Sequence, residues 1–181
     1  VRMLETCRRS SGGARHPFVH ATASHLLAIA RLFQGKLDLA EEESDRALAA
    51  QGPAGSGLFT GIYLIASGAI RLKQGKAAAA ERDLREALRL LGQCGAAQQE
   101  ANAHLLLALL SLKRGRAAAA RRHLAEGFGI GAERGFAYYA VLGRDELASL
   151  ATEAAAAGIE PFYCGRLASQ EALDRAEPVL K

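Results

Sequence analysis

A forty-residue repeat restricts the possible folds of this chain more than any other feature. One pattern recurs three times without gaps, in residues 30–48, 70–88 and 110–128. The glycines at its centre are Gly35, Gly75 and Gly115, so the spacing is 75 − 35 = 40 and 115 − 75 = 40. Ungapped periods of about 20–50 residues are typical of chains built from stacked supersecondary units. The sequence therefore predicts an array of similar units.

Each unit is predicted to be a hairpin of two α-helices. Proline is scarce, with 4 in 181 residues. Alanine, leucine, arginine and glutamate dominate the repeats, and these residues lose little side-chain freedom in a helix. The central glycine of each unit suits the left-handed conformation that ends a helix. The expected helix pairs are 17–34 with 37–49, 57–74 with 77–91, and 99–114 with 117–128.

The whole chain, residues 1–181, is predicted to be one helical repeat domain whose ends depart from the pattern. Its repeats cover about 17–50, 57–92 and 97–130. Residues 1–9 are predicted to form the tail of a helix in a partial unit, with Leu4 and Cys7 on the core face. The absence of an initiator methionine suggests a fragment of a longer protein. Glycines at 127, 129 and 131 each cost about 1 kcal/mol relative to alanine, so the helix from 117 is expected to end early or fray. Closing helices are predicted within 136–181: an aromatic element at 136–142, then helices near 144–157 and 162–168.

Small residues recur at fixed places within each unit. They are Ala28, Gly35, Ala40 and Ala47, then Gly68, Gly75, Ala80 and Ala87, then Ala108, Gly115, Ala120 and Gly127. This spacing resembles the tetratricopeptide repeat, and the resemblance implies an all-α, right-handed superhelix of antiparallel helical hairpins. Two features depart from that family: the period is longer, and Arg31, Arg71 and Ser111 stand where an aromatic residue is usual. Both departures resemble the longer helical repeats of MalT-like bacterial transcription regulators.

The C-terminal stretch, residues 147–167, resembles the closing segment of the repeat arrays in those regulators. The matching positions are Gly158, Ile159, Glu160, Tyr163, Arg166 and Leu167, whereas Pro161, Cys164 and Gly165 depart from the pattern. The resemblance implies a sensor or scaffold segment that lies between an ATPase domain and a DNA-binding domain.

Motifs for catalysis, cofactors or metals are weak in this sequence. The glycines in 55–68 lack the Gly-Lys-Ser/Thr ending of a phosphate-binding loop. His16 and His20 are four residues apart, but no cysteine or carboxylate accompanies them, and metal sites need three or four ligands. His25 is expected to line a groove. The chain is therefore predicted to be no enzyme and to bind no cofactor or metal.

Charge, cysteines and hydropathy limit the partners and the location. The net charge of +4 is modest, and the basic cluster in 113–122 lacks the stacking aromatics of a nucleic-acid site. Three distant cysteines favour a reducing cytoplasm over a disulfide framework. No apolar run reaches the roughly 18 residues of a membrane helix. The sequence predicts no direct contact with nucleic acid or membrane.

The predicted binding site is a groove formed by the first helices of the three hairpins. In tetratricopeptide arrays these helices line the concave face. Its candidate residues form three rows at the period of 40: Thr22, Ile62 and Asn102; His25, Ile65 and Leu105; Phe33, Lys73 and Lys113. Apolar walls with a few polar anchors suit a peptide, another domain of the same chain or a small effector that carries negative charge. The two functions left open are the binding segment of a multidomain transcription regulator and a structural adaptor that binds other proteins. For Ile65 and Leu105, simple packing against the second helices is an equal alternative.

Overall fold

The computed structural model describes residues 1–10, 16–51 and 55–169, and every regular element in those ranges is an α-helix. The elements are α1 (Arg2–Ser10), α2 (Pro17–Phe33), α3 (Leu37–Gln51), α4 (Gly57–Lys73), α5 (Ala77–Gly92), α6 (Ala97–Lys113), α7 (Ala117–Arg134), α8 (Arg144–Ala156) and α9 (Pro161–Ala168). The prediction of an all-α protein is confirmed.

These helices divide into two compact units, Val1–Gly95 and Ala96–Lys181. In the first unit, α2 pairs with α3 and α4 pairs with α5, while α1 packs on α2 and α3 packs on α4. In the second unit, α6 pairs with α7, and the α8–α9 pair packs on α7. The three predicted hairpins are therefore present, two in the first unit and one in the second.

The turns of the three hairpins share one backbone geometry. Gly35, Gly75 and Gly115 have φ angles of 72°, 76° and 67°, in the left-handed region where glycine carries no Cβ penalty. In each turn, the N–H of the residue after the glycine donates to the carbonyl five residues earlier, at 2.9, 2.8 and 2.9 Å. These bonds satisfy carbonyls that the end of the helix would leave unpaired. The predicted equivalence of the three glycines is confirmed.

Other glycines allow helices to approach each other closely. A Cβ on Gly68 would lie 2.6 Å from Leu84 Cγ, and one on Gly127 would lie 2.8 Å from Leu105 Cδ2. Both distances are shorter than carbon atoms tolerate, so leucine from one helix fills the space that a side chain on the other would need. The small residues of the repeat are thus a packing requirement within each hairpin.

An arginine on α4 joins its own hairpin to the preceding one. The guanidinium of Arg71 donates to the carboxylate of Asp83, which also accepts a hydrogen bond of 2.8 Å from Ser67 Oγ. On the other side, Arg71 Nη2 lies 3.1 Å from Asp45 Oδ1, and Arg71 Nε lies 3.6 Å from Glu41 Oε1. Asp83 is only 4% exposed. The buried carboxylate is therefore compensated by a cation and a hydroxyl, as buried charges require.

The same contact occurs forty residues earlier. Arg31 Nη2 lies 2.6 Å from Glu5 Oε1, and 31 to 71 and 5 to 45 are both steps of 40. We call these two contacts, Arg31 to Glu5 and Arg71 to Asp45, the arginine clasp. The clasp explains why arginine replaces the expected aromatic residue, because it bridges neighbouring hairpins by charge. The third equivalent of the arginine is Ser111.

The structure corrects the predicted end of α7. This helix does not fray near Gly127; it continues to Arg134 and ends at Gly135, which has a φ angle of 70°. Its glycines face tightly packed side chains, Leu105 at Gly127 and two tyrosines at Gly131. Burial against these partners offsets the low helix propensity of glycine. Intrinsic propensity is a weak determinant that tertiary packing often overrides.

An aromatic lock holds the C-terminal elements together in the second unit. Tyr163 Oη donates to Phe136 O at 2.6 Å, and the hydroxyl of Tyr139 donates to Tyr163 Oη. The Phe128 ring on α7 contacts both tyrosine rings edge to face, with centroids 6.2 and 6.1 Å apart. Residues 136–143 carry this network without forming a helix. The prediction that the closing helices begin at residue 136 is therefore wrong, because 136–143 is not helical. The two predicted helices after it are present as α8 and α9.

At the N-terminus, the core face predicted for α1 is only partly buried. Leu4 is half-buried and Cys7 is exposed, although the positions forty residues later, Ser44 and Ala47, are buried. The predicted turn at 10–15, the connector at 51–56 and the tail after Ser169 lie wholly or partly outside the described residues.

Candidate functional site

A stripe of side chains runs along one face of α2. Its members are four, three, four and four residues apart, the spacing of one helix face: Phe18, Thr22, His25, Ile29 and Phe33. Phe18 is 49% exposed and Phe33 is 56% exposed, whereas the middle of the stripe is buried or half-buried. At about 1.5 Å per residue, the two phenylalanines stand roughly 22 Å apart along the helix. The stripe therefore exposes an aromatic ring at each end and is buried or half-buried between them.

Tyr63 on α4 forms the floor beside this stripe. It is 1% exposed, and its hydroxyl lies 3.1 Å from Thr22 Oγ1. The His25 ring stacks on it at a tilt, with centroids 4.8 Å apart, and the Phe59 ring follows at 6.4 Å. Phe59 in turn meets Phe18 edge to face at 4.7 Å. Together with the half-buried Ile62, these side chains form what we call the α2–α4 surface: Phe18, Thr22, His25, Phe59, Ile62 and Tyr63.

His25 is neutral at this surface at ordinary pH. The residue is 8% exposed, and burial lowers its pKa from 6.5 to about 4, because a charged imidazole loses its hydration there. A neutral ring that stacks on Tyr63 contributes an apolar face with a polar edge. The site is therefore largely uncharged at its centre.

The structure places the predicted site residues of the first unit in three different settings. Thr22, His25 and Ile62 are brought together around Tyr63. Ile65 is 5% exposed and belongs to the core. Phe33 and Lys73 are exposed near the C-terminal ends of α2 and α4, and Lys73 makes further polar interactions of its own.

Two of the three predicted site residues of the second unit are buried. Leu105 is fully buried against Gly127, so it packs on the second helix of its pair. Asn102 is 3% exposed; its Nδ2 donates to Gln98 O at 3.1 Å, and its Oδ1 has no protein hydrogen-bond partner. Lys113 is exposed at the end of α6. Leu105 is thus an interior residue of the α6–α7 hairpin, and Asn102 is a buried residue of α6.

Sequence reasoning missed Tyr63 as the centre of the site. A signal was present, because the positions forty residues before and after it are Ala23 and Ala103. A tyrosine at a position where the other repeats have buried alanines indicates that the first helix of this hairpin packs differently from the other two. The exposed Phe18, which precedes the first predicted row, was missed as well.

The other histidines, cysteines and arginines with possible chemical roles do not form a further site. His16 is exposed, and His20 Nδ1 lies 3.3 Å from Arg8 O. Burial raises the pKa of the Cys164 thiol to about 11, so the thiol stays protonated and unreactive at neutral pH. Arg121, in the basic cluster, donates to Ala157 O at 3.0 Å and satisfies the end of α8. Within the described ranges, no three histidine, cysteine, aspartate or glutamate side chains are grouped to hold a metal ion.

Comparison of the chain with protein-family models, with curated proteins and with solved structures finds no match. In the part of the chain that the structure describes, every helix is too short or too polar to cross a membrane.

Proposed function

We propose that this chain is a non-enzymatic binding segment that uses the α2–α4 surface to hold an amphipathic helix or peptide of a protein partner. The exposed aromatic residues at the two ends of the α2 stripe support this most directly. The two exposed rings stand roughly 22 Å apart along the helix, so a single small molecule would not contact both. A partner helix of about 15 residues has the matching length, and a helix in an apolar groove is a common recognition mode.

The chemistry of the surface supports an amphipathic partner. Phe18, Phe59 and Ile62 offer apolar area at or near the surface, and aromatic anchors supply much of the binding energy at protein interfaces. The Thr22 and Tyr63 hydroxyls already bond to each other, so they add polarity without a buried charge. Lys36 is exposed three residues after Phe33. Its positive charge favours a partner whose corresponding end is acidic.

In the wider proposal, the hairpins belong to a right-handed, tetratricopeptide-like superhelix, and the chain is the sensor segment of a MalT-like transcription regulator in the bacterial cytoplasm. The repeat spacing and the closing segment support this context. Binding on the first helices would then bias domains attached to the array. The second candidate is a structural adaptor; the exposed apolar stripe is compatible with it, because an adaptor needs a docking face but no coupled domains.

The test of the binding proposal is a displayed library of amphipathic peptides selected on the purified chain. A Phe18→Ser, Phe33→Ser double variant is expected to weaken the selected peptides more than tenfold. The matched control is Phe162→Ser, since Phe162 is also an exposed aromatic residue, at 92%, but lies on α9 in the second unit. Equal affinity for the double variant and the control would refute the site.

The regulator and the adaptor are separated by an experiment in cells. The double variant is introduced into the complete gene product, and transcription is measured by RNA sequencing beside the control variant. Altered transcription of a defined set of genes supports the regulator. Unchanged transcription with lost peptide binding supports the adaptor.

A further inference from the structure

Polar contacts hold α1 on the α2–α3 hairpin. Arg31 Nη2 lies 2.6 Å from Glu5 Oε1, Arg8 Nε lies 3.8 Å from Glu43 Oε2, and His20 Nδ1 lies 3.3 Å from Arg8 O. The structure describes all nine residues of α1 and none of them is buried, whereas α3 buries four residues and α5 buries five. Ion pairs near the surface contribute little, and an isolated helix of this length is marginal in water. The position of α1 therefore depends on contacts that another helix can replace.

The side of α2 that faces α1 lies away from the α2–α4 surface. His20, Ser24, Leu27 and Arg31 are four, three and four residues apart, which places them on one face of the helix. Each lies two residues from a member of the α2 stripe, a rotation of about 200° around the helix. We call this second surface the α1 seat: His20, Arg31 and Glu43, which contact α1, and Ser24, which lies between them on α2.

Two polar groups of the α1 seat make no hydrogen bond to the described residues. Ser24 is fully buried, and its hydroxyl has no hydrogen-bond partner among them. Glu43 is 8% exposed; Arg46 Nη1 donates to its Oε1 at 2.7 Å, but its Oε2 accepts no hydrogen bond within the described ranges. The equivalent side chains forty and eighty residues on meet in the third hairpin as His104 and His123, so Ser24 and Glu43 face each other at one level. Because buried polar groups are normally hydrogen-bonded, the seat has room for an occupant that donates more hydrogen bonds than α1 does.

The charges of the seat define the chemistry of such an occupant. Arg31 takes a carboxylate, and the equivalent clasp at Arg71 accepts aspartate in the same place. Glu43 takes a donor. Glu5 and Arg8 supply these two groups from positions three residues apart, which are neighbours on one helix face. An arginine in the second position offers several N–H donors in a fork, enough for the carboxylate and for the serine hydroxyl beside it.

We propose that α1 is displaceable, and that a helix of a partner protein with glutamate and arginine three residues apart takes its place on the α1 seat. The incoming helix makes the same ion pair with Arg31 and adds hydrogen bonds to Glu43 Oε2 and Ser24 Oγ. A helix longer than α1 also forms more readily by itself, so less of its binding energy is spent on folding. This second partner site is independent of the α2–α4 surface, because the two lie on different sides of α2.

The test follows α1 directly with a spin label on Cys7, which is exposed on that helix. The full chain carries Cys94→Ser, and Cys164 is buried, so Cys7 is the labelled thiol. The probe is an alanine-based helical peptide with glutamate and arginine three residues apart, and the control peptide has glutamine at both positions. Electron paramagnetic resonance is expected to show that the first peptide mobilises the label to saturation and that the control peptide does not. This experiment needs no change to the seat, so its result does not depend on the folding of a variant.

Binding of the fluorescently labelled peptide, measured by anisotropy, locates the site. Arg31→Gln is expected to weaken binding at least tenfold. The matched control is Arg85→Gln, which removes an exposed arginine that pairs with Glu81 of its own helix, and it should leave binding unchanged. A spin label that stays immobile in the presence of the first peptide would overturn the proposal. So would peptide binding that is lost in the Phe18→Ser, Phe33→Ser variant but unchanged in Arg31→Gln, since that result would place the peptide on the α2–α4 surface.

Discussion

Two glycines on one turn of α7 should respond oppositely to the same substitution. Gly129 and Gly131 both lie inside the helix, but their surroundings differ. A Cβ on Gly129 would meet nothing within 4 Å. A Cβ on Gly131 would overlap the hydroxyls of Tyr139 and Tyr163 and lie 3.1 Å from Tyr163 Cζ. We therefore expect Gly129→Ala to stabilise the protein and Gly131→Ala to destabilise it.

The magnitudes follow from the two environments. Alanine in place of an open helical glycine removes backbone entropy from the unfolded chain, so Gly129→Ala should raise the free energy of unfolding by about 0.5–1 kcal/mol. At Gly131 the same gain opposes an overpacking cost of about 1–3 kcal/mol and the disruption of buried hydrogen bonds worth about 1–3 kcal/mol. The tyrosines can move away only by breaking the bond from Tyr163 to Phe136 O. A net loss of about 2–4 kcal/mol is expected for Gly131→Ala.

Denaturant unfolding followed by tyrosine fluorescence measures both effects. The chain has 4 tyrosines and no tryptophan, and three of the tyrosines lie in the second unit, so the signal reports chiefly on that unit. A Tyr163→Phe variant in the Gly131→Ala background should recover part of the loss, because it removes one of the overlapping hydroxyls. Shifts of the same sign for Gly129→Ala and Gly131→Ala would refute the assigned packing of α7.

Two further predictions concern the first unit. The pKa of His25 is about 4 in the folded protein and near 6.5 when unfolded, so between these pH values the unfolded chain binds a proton that the folded chain does not. The free energy of unfolding should therefore be highest above pH 6.5 and fall by about 3 kcal/mol as the pH drops to 4. His25→Leu should lose this pH dependence in denaturant titrations. Arg71→Met should cost about 3–5 kcal/mol in the same assay, since it leaves the buried Asp83 carboxylate with only the largely exposed Arg82, 3.5 Å away, as a cation. Arg89→Met on the exposed face of α5 should stay within about 0.5 kcal/mol. Partial recovery in an Arg71→Met, Asp83→Asn double variant is expected, and its absence would count against the ion pair as the cause.

The helical hairpins were predictable because their determinants are local and repeated. Helix propensity, apolar periodicity and a glycine at each turn act within a few residues, so Gly35, Gly75 and Gly115 alone locate three turns. These features agree with one another in the first two hairpins, where the predicted and observed helix limits differ by one or two residues, whereas α7 of the third hairpin ends six residues later than predicted.

The site was less predictable because it depends on contacts between distant residues. Leu105 and Ile65 share a period with His25, but periodicity does not reveal which of them the neighbouring helix covers. The partner of Arg71 was invisible for the same reason, since Asp45 and Asp83 lie 26 and 12 residues away in sequence. Gly131 was assigned a cost from its intrinsic propensity, whereas the tyrosines that need its open space come from residues far along the chain.

The arginine clasp also bears on how a repetitive chain avoids joining the wrong copy of itself. Similar hairpins on two molecules can exchange places, and apolar faces built from alanine and leucine do little to prevent it. Here the acceptor facing Arg71 is Asp45, whereas the residue at the same position of the next hairpin is Arg85, which pairs with Glu81 of its own helix. A second molecule that offered its α4–α5 hairpin in place of the α2–α3 hairpin would keep a carboxylate at Glu81, the equivalent of Glu41, but would set Arg85 against Arg71 in place of Asp45, which is less favourable. The change from an acidic residue at 5 and 45 to Arg85 therefore favours the α2–α3 hairpin over the α4–α5 hairpin as the neighbour of Arg71.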